Sequence, residues 1–386
     1  MIMQDYSRAR PQRRHVTVTI DKLERRRGGV AAATLAAATI GAVLASVCPA
    51  RAQGLARFSA DSVIAVEQFA GSDTGHRLDL ITFDEFVSVR LGGGWQAYVR
   101  PVLRRSRRLE WDAQICQAAV RYQRAAAVSL RFDAGYLASP VGLGMLDARA
   151  NANPVMTPHP NYATPLPPFS LETPPVQGIA AIYPLGAVLT LSGIQWDARA
   201  AIVDTAPTRM RPVFGADQQR RTPVFEAGAG VTPRAGLRIG VSVARGAYFT
   251  PEDTAPRAET DRRVTLVSVE GEYSFGHTKM SAEWIRDTFE TAGDAADVRV
   301  WFVEASQTLT PRWFVAAREE GRSAPVFGPN GIAGTSQRAH LLDANVGYRL
   351  TPEITIRAGS LVRISAADSG VGRQFGMSLV WARRWW

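Results

Sequence analysis

From Leu342 onward the apolar residues of this chain fall on every second position. Leu342, Ala344, Val346, Tyr348 and Leu350 are separated by Asp343, Asn345, Gly347 and Arg349, so an extended chain there carries one greasy face and one polar face. A tight turn, Leu350-Thr351-Pro352-Glu353, follows. The alternation then restarts, with Ile354, Ile356, Ala358, Ser360, Val362 and Ile364 against Thr355, Arg357, Gly359 and Arg363. A third run sets Phe375, Met377, Leu379 and Trp381 against Gln374, Gly376 and Ser378 before Trp385 and Trp386. Upstream, Leu237, Ile239, Val241 and Val243 alternate with Arg238, Gly240 and Ser242, and Val128, Leu130, Phe132 and Ala134 with Ser129, Arg131, Asp133 and Gly135. Each run predicts a two-faced strand.

Applied along the chain, the pattern predicts sixteen strands, near 57–70, 79–91, 95–104, 109–123, 126–138, 176–184, 187–206, 222–231, 236–249, 262–275, 279–290, 297–309, 312–321, 337–350, 353–365 and 372–385. Fourteen or eighteen also fit, because 57–70 is marginal and 187–206 is long enough to hide a break. Turns at Val231–Arg234, Leu309–Arg312 and Leu350–Glu353 share a Thr-Pro pair, and Phe275-Gly276-His277-Thr278 adds another. Proline pre-sets φ and offers no N–H to a ladder, so each marks a chain reversal. Together they divide this half of the chain into hairpins of roughly forty residues. A sheet with hydrocarbon side chains on one face and charges on the other, closed to leave no edge, is an all-β transmembrane antiparallel barrel. About sixteen strands make a ring wide enough to stay wet, whereas eight would fill with side chains.

Composition changes this picture at the amino-terminal side. Residues 1–52 run from a basic segment holding Arg25-Arg26-Arg27, through the Ala/Gly/Val-rich stretch Val30–Val47, to Ala50-Arg51-Ala52. That is the layout of a secretory signal peptide, cut before Gln53 to leave 53–386 as a single barrel. The segment holds nine Lys/Arg against three Asp/Glu, more than half of the formal charge of +10, so nucleic acid is not an expected partner. Cys116 is the one cysteine beyond it and reads as a packing residue. No run of eighteen apolar residues follows residue 52, which excludes a helical membrane bundle. Metal-ligand spacings, a Walker loop and a dinucleotide fingerprint are absent, and Gly92-Gly93-Gly94 reads as a turn. The histidines beyond residue 52, His76, His159, His277 and His340, have no serine partner visible in the sequence. No enzymatic activity, cofactor or metal is therefore expected.

Strand parity places Arg90, Arg100, Arg131, Arg238, Arg349, Arg357 and Arg363 on the inner face, with Asp84, Asp133, Glu270, Glu272, Glu283 and Asp343. These are the candidate pore-lining residues. Rings of arginine favour anions, and the planar guanidinium suits phosphate and carboxylate; with carboxylates nearly as frequent, the expected preference is weak. The one long interruption, Ser139–Pro175, holds nine of the 23 prolines and leaves the sheet on the extracellular side. A constriction loop dipping into the pore and a cap over the surface both fit, with Asp147, Arg149, His159 and Tyr162 as its polar candidates. Other loops differ in sign: Arg104–Arg108 and Arg209, Arg211, Arg220 and Arg221 are basic, while Glu252, Asp253, Glu259 and Asp261 are acidic. Basic loops could bind lipopolysaccharide phosphates or concentrate anions.

The closing run with its aromatic end resembles the C-terminal strand of bacterial outer-membrane porins. The pattern over most of residues 53–386 is similar to phosphate-selective and related anion- or substrate-specific porins. That resemblance implies a lumen lined by arginine and assembly of three copies. Phosphate selectivity is not carried over, because Lys279 is the only lysine beyond residue 52 and those channels share a lysine cluster. The expected function is passive diffusion of small hydrophilic solutes, with a weak anion preference, across the outer membrane of a Gram-negative-type bacterium, amid its lipid and lipopolysaccharide. A closed or solute-specific barrel serving export or envelope structure is the alternative.

Overall fold

The computed structural model describes residues 58–71, 78–106, 109–143, 149–157, 183–204, 223–247, 263–290, 295–325, 327–328, 331–332, 337–365 and 370–385. Its strands, in chain order, are β1 (Phe58–Gly71), β2 (Leu78–Gly92), β3 (Trp95–Ser106), β4 (Leu109–Arg124), β5 (Ser129–Tyr136), β6 (Leu185–Ser192), β7 (Trp196–Val203), β8 (Val224–Arg234) and β9 (Leu237–Ala247). They continue with β10 (Arg263–Phe275), β11 (Thr278–Phe289), β12 (Ala296–Thr308), β13 (Trp313–Ala324), β14 (Phe327–Gly328), β15 (Gly331–Ile332), β16 (Gln337–Arg349), β17 (Ile354–Ser365) and β18 (Gly370–Arg384). β14 and β15 form a separate small hairpin. The other 16 close into one antiparallel barrel, with β13 against β16 and β1 against β18.

The alternation in the sequence is the alternation of the wall. On β9, Ile239, Val241 and Val243 are 46–50% exposed, whereas Ser242 and Ala244 on the opposite parity are 1% and 2% exposed. Ile356 on β17 faces outward in the same way. Apolar outside and polar inside inverts the arrangement of a soluble protein, and closure leaves no unpaired strand edge in hydrocarbon. Connections at one end are all short turns and at the other are mostly longer, β3–β4 and β17–β18 being short there too; these are the periplasmic and extracellular ends of a bacterial barrel. At the turn end the outer face carries aromatic pairs: Trp95 with Tyr122, Tyr273 with Phe275, and Trp313 with Tyr348, their ring centroids 4.7–5.1 Å apart. Amphipathic rings prefer that depth, where hydrocarbon gives way to headgroups. Trp385 completes this belt and seals the ring, its indole N–H donating to Ser62 of β1 at 2.7 Å.

The strand count agrees with the expectation, but two errors cancel within it. The run 187–206 is two strands, β6 and β7, broken at Gly193-Ile194-Gln195, where the indole of Trp196 folds over Gly193. The expected strand at 176–184 corresponds to no element of the barrel. Its first seven residues lie outside the described ones, and Tyr183-Pro184 are not strand, the Pro184 carbonyl accepting from Leu137 N–H at 2.9 Å. At Val231–Arg234 the register of β8 shifts, and the reversal falls two residues later, at Ala235-Gly236. The wall is lowest at β5, β6 and β7, with 8 residues each against 16 in β4. Eight residues reach roughly 27 Å along the strand, which at a barrel tilt of about 40° is about 21 Å along the membrane normal, short of the roughly 25 Å apolar band.

Val241 sits midway along β9 on the lipid face. Val241→Arg is expected to destabilise the folded barrel by about 2–4 kcal/mol, the cost of a cation at bilayer mid-depth. Urea titration in phospholipid vesicles measures it, and a cost below about 0.5 kcal/mol would place that face away from lipid.

Candidate functional site

Inward positions on facing strands bring charges of opposite sign together. Arg100 on β3 is clamped by Asp84 on β2, its Nη2 and Nε lying 2.6 and 2.9 Å from the two carboxylate oxygens. Asp133 on β5 accepts from Arg121 at 2.7 Å and from the Tyr98 hydroxyl at 3.2 Å, and pairs with Arg131 at 3.0 Å. Arg238 on β9 joins Asp197 and Glu270 at 2.9 and 2.8 Å, and Arg199 reaches the same Glu270 at 3.2 Å. Glu272 pairs with Lys279 at 3.4 Å, and Glu283 accepts from Ser268 at 2.9 Å. Arg90 and Arg363 lie on the inner face, exposed, with no carboxylate in ion-pair range among the described residues. Arg349 is displaced to the turn end, where its guanidinium covers the Phe314 ring and donates to Pro311 O.

The segment after β5 turns into the barrel. Val141 joins an apolar cluster on the inner wall, and Leu143 N–H donates to Glu283 of β11 at 3.3 Å. Arg149 is next seen against β1 and β2, donating to Asp61 O and Asp84 O at 3.2 and 3.0 Å. The chain then fastens to β13, β16 and β17. Asp343 accepts three hydrogen bonds, from Met156 N–H at 3.1 Å, Thr157 N–H at 2.9 Å and the Thr157 hydroxyl at 2.7 Å. Arg357 donates to Asn153 O and Val155 O at 2.8 and 2.9 Å, and Arg318 donates to both oxygens of Thr157. Met156 fills a gap between Phe69 and Leu361.

Of the loop candidates, only Arg149 is placed. Asp147, His159 and Tyr162 lie outside the described residues, as do residues 1–52, the basic stretch 209–221 and the acidic loop 250–261. Sequence reasoning missed Arg318, which is 0% exposed between Glu304 at 3.3 Å and Glu320 at 2.5 Å. With Trp313 taken as outward, strand parity puts Phe314, Ala316 and Arg318 on the inner face. It also missed that the inner wall is not uniformly polar. Toward the loop end of β7 to β13 the inward residues are buried and mostly apolar, Val203, Val264, Leu266, Ile285, Phe289 and Val298 among them, with the carboxyl groups of Glu226 and Asp287 enclosed in their midst. Cys116 is buried where the β3–β4 register shifts. His277 lies in the β10–β11 turn, and His340 faces outward, edge-on to Trp301.

No protein-family model matches the chain, and no curated protein sequence does. Solved structures do resemble it in fold. An anion-selective porin from Comamonas acidovorans aligns over 85% of this chain and 99% of its own, with a TM-score of 0.55 at 11% identity. OmpF of Salmonella typhi, in complex with daunomycin, aligns over 84% and 97%, with a TM-score of 0.57 at 11% identity. The trimer form of OmpT, an outer membrane protein of Vibrio cholerae, aligns over 84% and 99%, with a TM-score of 0.54 at 10% identity.

Proposed function

We propose that this porin-like outer-membrane β-barrel is a passive diffusion channel for small hydrophilic solutes with a modest preference for anions, narrowed by the segment that follows β5. One observation carries the anion preference. In the two clusters built on Asp133 and Glu270, the guanidiniums are the accessible partners and the carboxylate lies beneath them. Side-chain exposure is 46% for Arg131 and 26% for Arg121 against 5% for their shared Asp133. It is 17% for Arg199 and 20% for Arg238 against 0% for Glu270. A passing ion therefore meets a positive surface even though the wall's charges nearly balance, and guanidinium groups attract and transiently hold anions.

In this reading residues 1–52 are an export signal, and the pore-lining set is Arg90, Arg100, Arg131, Asp133, Arg238, Glu270, Glu272, Asp343, Arg349, Arg357 and Arg363. Three copies associate through the low wall at β5 to β7, where Leu189 and Ile202 are exposed. The apolar cluster under the loop end favours a second reading, a closed or solute-specific barrel.

Purified protein in a planar bilayer separates the two. Discrete conductance steps and a zero-current potential of anionic sign across a salt gradient are expected. Arg121→Gln with Arg131→Gln should bring the anion-to-cation permeability ratio close to or below unity. An absence of steps removes the channel reading, and an unchanged ratio removes the role given to these arginines.

A further inference from the structure

The outer face of β12, β13 and β16 carries two depressions stacked along the same strands. The upper, about 270 Å³, is walled by Trp284 and Trp301 and rimmed by Arg299, Arg338 and His340. The lower, about 520 Å³, is floored by Ala305, Ala317, Ala344 and Ala358, where neighbouring outward positions carry Val315, Val346 and Phe375. Down the outward column of β13 from Gly321 to Ala317 is four residues, roughly 13 Å along an extended strand. We propose that this track holds one phosphorylated acyl lipid of the outer leaflet, with its phosphate on Arg299 and Arg338 and an acyl chain in the alanine groove.

Register puts both arginines beside Ser323, one on each flanking strand, at the loop end of the lipid face. Both are exposed, and neither has a carboxylate in ion-pair range among the described residues; the nearby Arg286 is already held by Asp297 at 2.5 Å. Asp297, held by Arg286, reaches Arg299 only at longer range, so two guanidiniums at the edge of hydrocarbon with no carboxylate in contact draw a further counter-charge, and the anionic headgroups at that depth supply it. The pocket is built in detail. The Trp301 indole lies flat over Gly321, where any side chain would collide with it, and extends toward His340, ring centroids 6.0 Å apart at 68°. Indoles at this depth also mark the interface.

The row between the depressions is Val303, Glu319 and Leu342, all exposed. Glu319 there offers an acceptor to hydroxyl or amide donors where a headgroup joins its chains. A free phosphate ion would leave the groove unused. A second copy of this chain is a poorer occupant, because the low wall at β5 to β7 lies nearly opposite around the 16-stranded ring.

This inference rests on the outer-membrane reading, and its test keeps the two apart. The full chain, purified in mild detergent, is titrated with lipid A, with phosphatidylethanolamine and with inorganic phosphate, and binding is read by native mass spectrometry. Lipid A should bind in preference to phosphatidylethanolamine, and inorganic phosphate should not displace it. A membrane-facing basic residue contributes about a factor of five to anionic-lipid affinity, so Arg299→Gln with Arg338→Gln should weaken lipid A about thirtyfold. Ala317→Leu with Ala344→Leu, which fills the groove and spares the arginines, should weaken it as well.

Equal retention of lipid A by the wild type and the double arginine variant overturns the proposal. So does a leucine variant that changes oligomeric state while binding lipid A normally, since the groove would then be a contact between copies. Conductance is recorded on the same preparations. Unchanged conductance with lost lipid A is the expected result for the arginine variant. Absent conductance with intact lipid A binding would sink the channel and leave the lipid site standing.

Discussion

Asp343→Ala should give a barrel that conducts about twofold more per opening, because the inner segment loses its firmest anchor and the bore widens. The three hydrogen bonds that Asp343 accepts from Met156 and Thr157 all converge on one carboxylate oxygen, inside a wall where the residue is 0% exposed. Bonds to a charged acceptor contribute about 1.5–3 kcal/mol each. Their loss leaves two backbone N–H groups facing a void, and the docked state no longer outweighs the ordering entropy of the segment. Removing the carboxylate also takes one negative charge from beside Arg318 and Arg357, which keep Glu304, Glu320 and Glu67 as partners, so the selectivity of the larger opening should move a little further toward anions. Asp343→Asn keeps an acceptor at the same place and should stay closer to the wild type. Single-channel recording decides the matter. An alanine variant that keeps its folded electrophoretic mobility and conducts like the wild type would show that the segment does not set the bore.

Arg318→Met should cost the barrel about 3–5 kcal/mol, the second large effect, and this one falls on stability. The guanidinium is wholly buried between Glu304 and Glu320, themselves 3% exposed. Methionine fills much of the volume and leaves two carboxylates buried with no counter-charge. The urea midpoint in detergent or vesicles should fall accordingly. Adding Glu304→Gln and Glu320→Gln should recover most of the loss, because the triad then holds no uncompensated charge. If the single substitution left the midpoint unmoved, the triad would have to be hydrated and its burial only apparent.

How much of this could be read from residues alone depends on which face carries the signal. Where one side of a strand is apolar and the other charged, as in β9, β16 and β17, alternation gave both the strand and its orientation. Where both sides are apolar, as at Val264, Leu266 and Val267 in β10, the two-residue period disappears, and with it any hint that the inner wall turns greasy there. Arg318 was hidden by the opposite problem. Its neighbours Glu319 and Glu320 put charge on both faces, so the stretch shows no clean alternation. The course of the segment after β5 was not legible at all. It is fixed by contacts such as Leu143 with Glu283 and Thr157 with Asp343, 140 and 186 residues apart, and the segment's own groups in them are mostly main-chain N–H donors and C=O acceptors. Nothing in a side-chain pattern announces a main-chain donor.

The bond from the Trp385 indole to Ser62 spans 323 residues, whereas nearly every other junction in the wall joins strands that follow one another in the chain. The entropy of bringing distant segments together is thus concentrated in a single seam, and hairpins can assemble in sequence long before it shuts. Until then both rims of the curling sheet offer open ladders to any neighbouring chain. Maturation of this protein should therefore show a long-lived, nearly complete precursor that needs shielding at those rims, and weakening the seam should slow its conversion more than it harms the finished product.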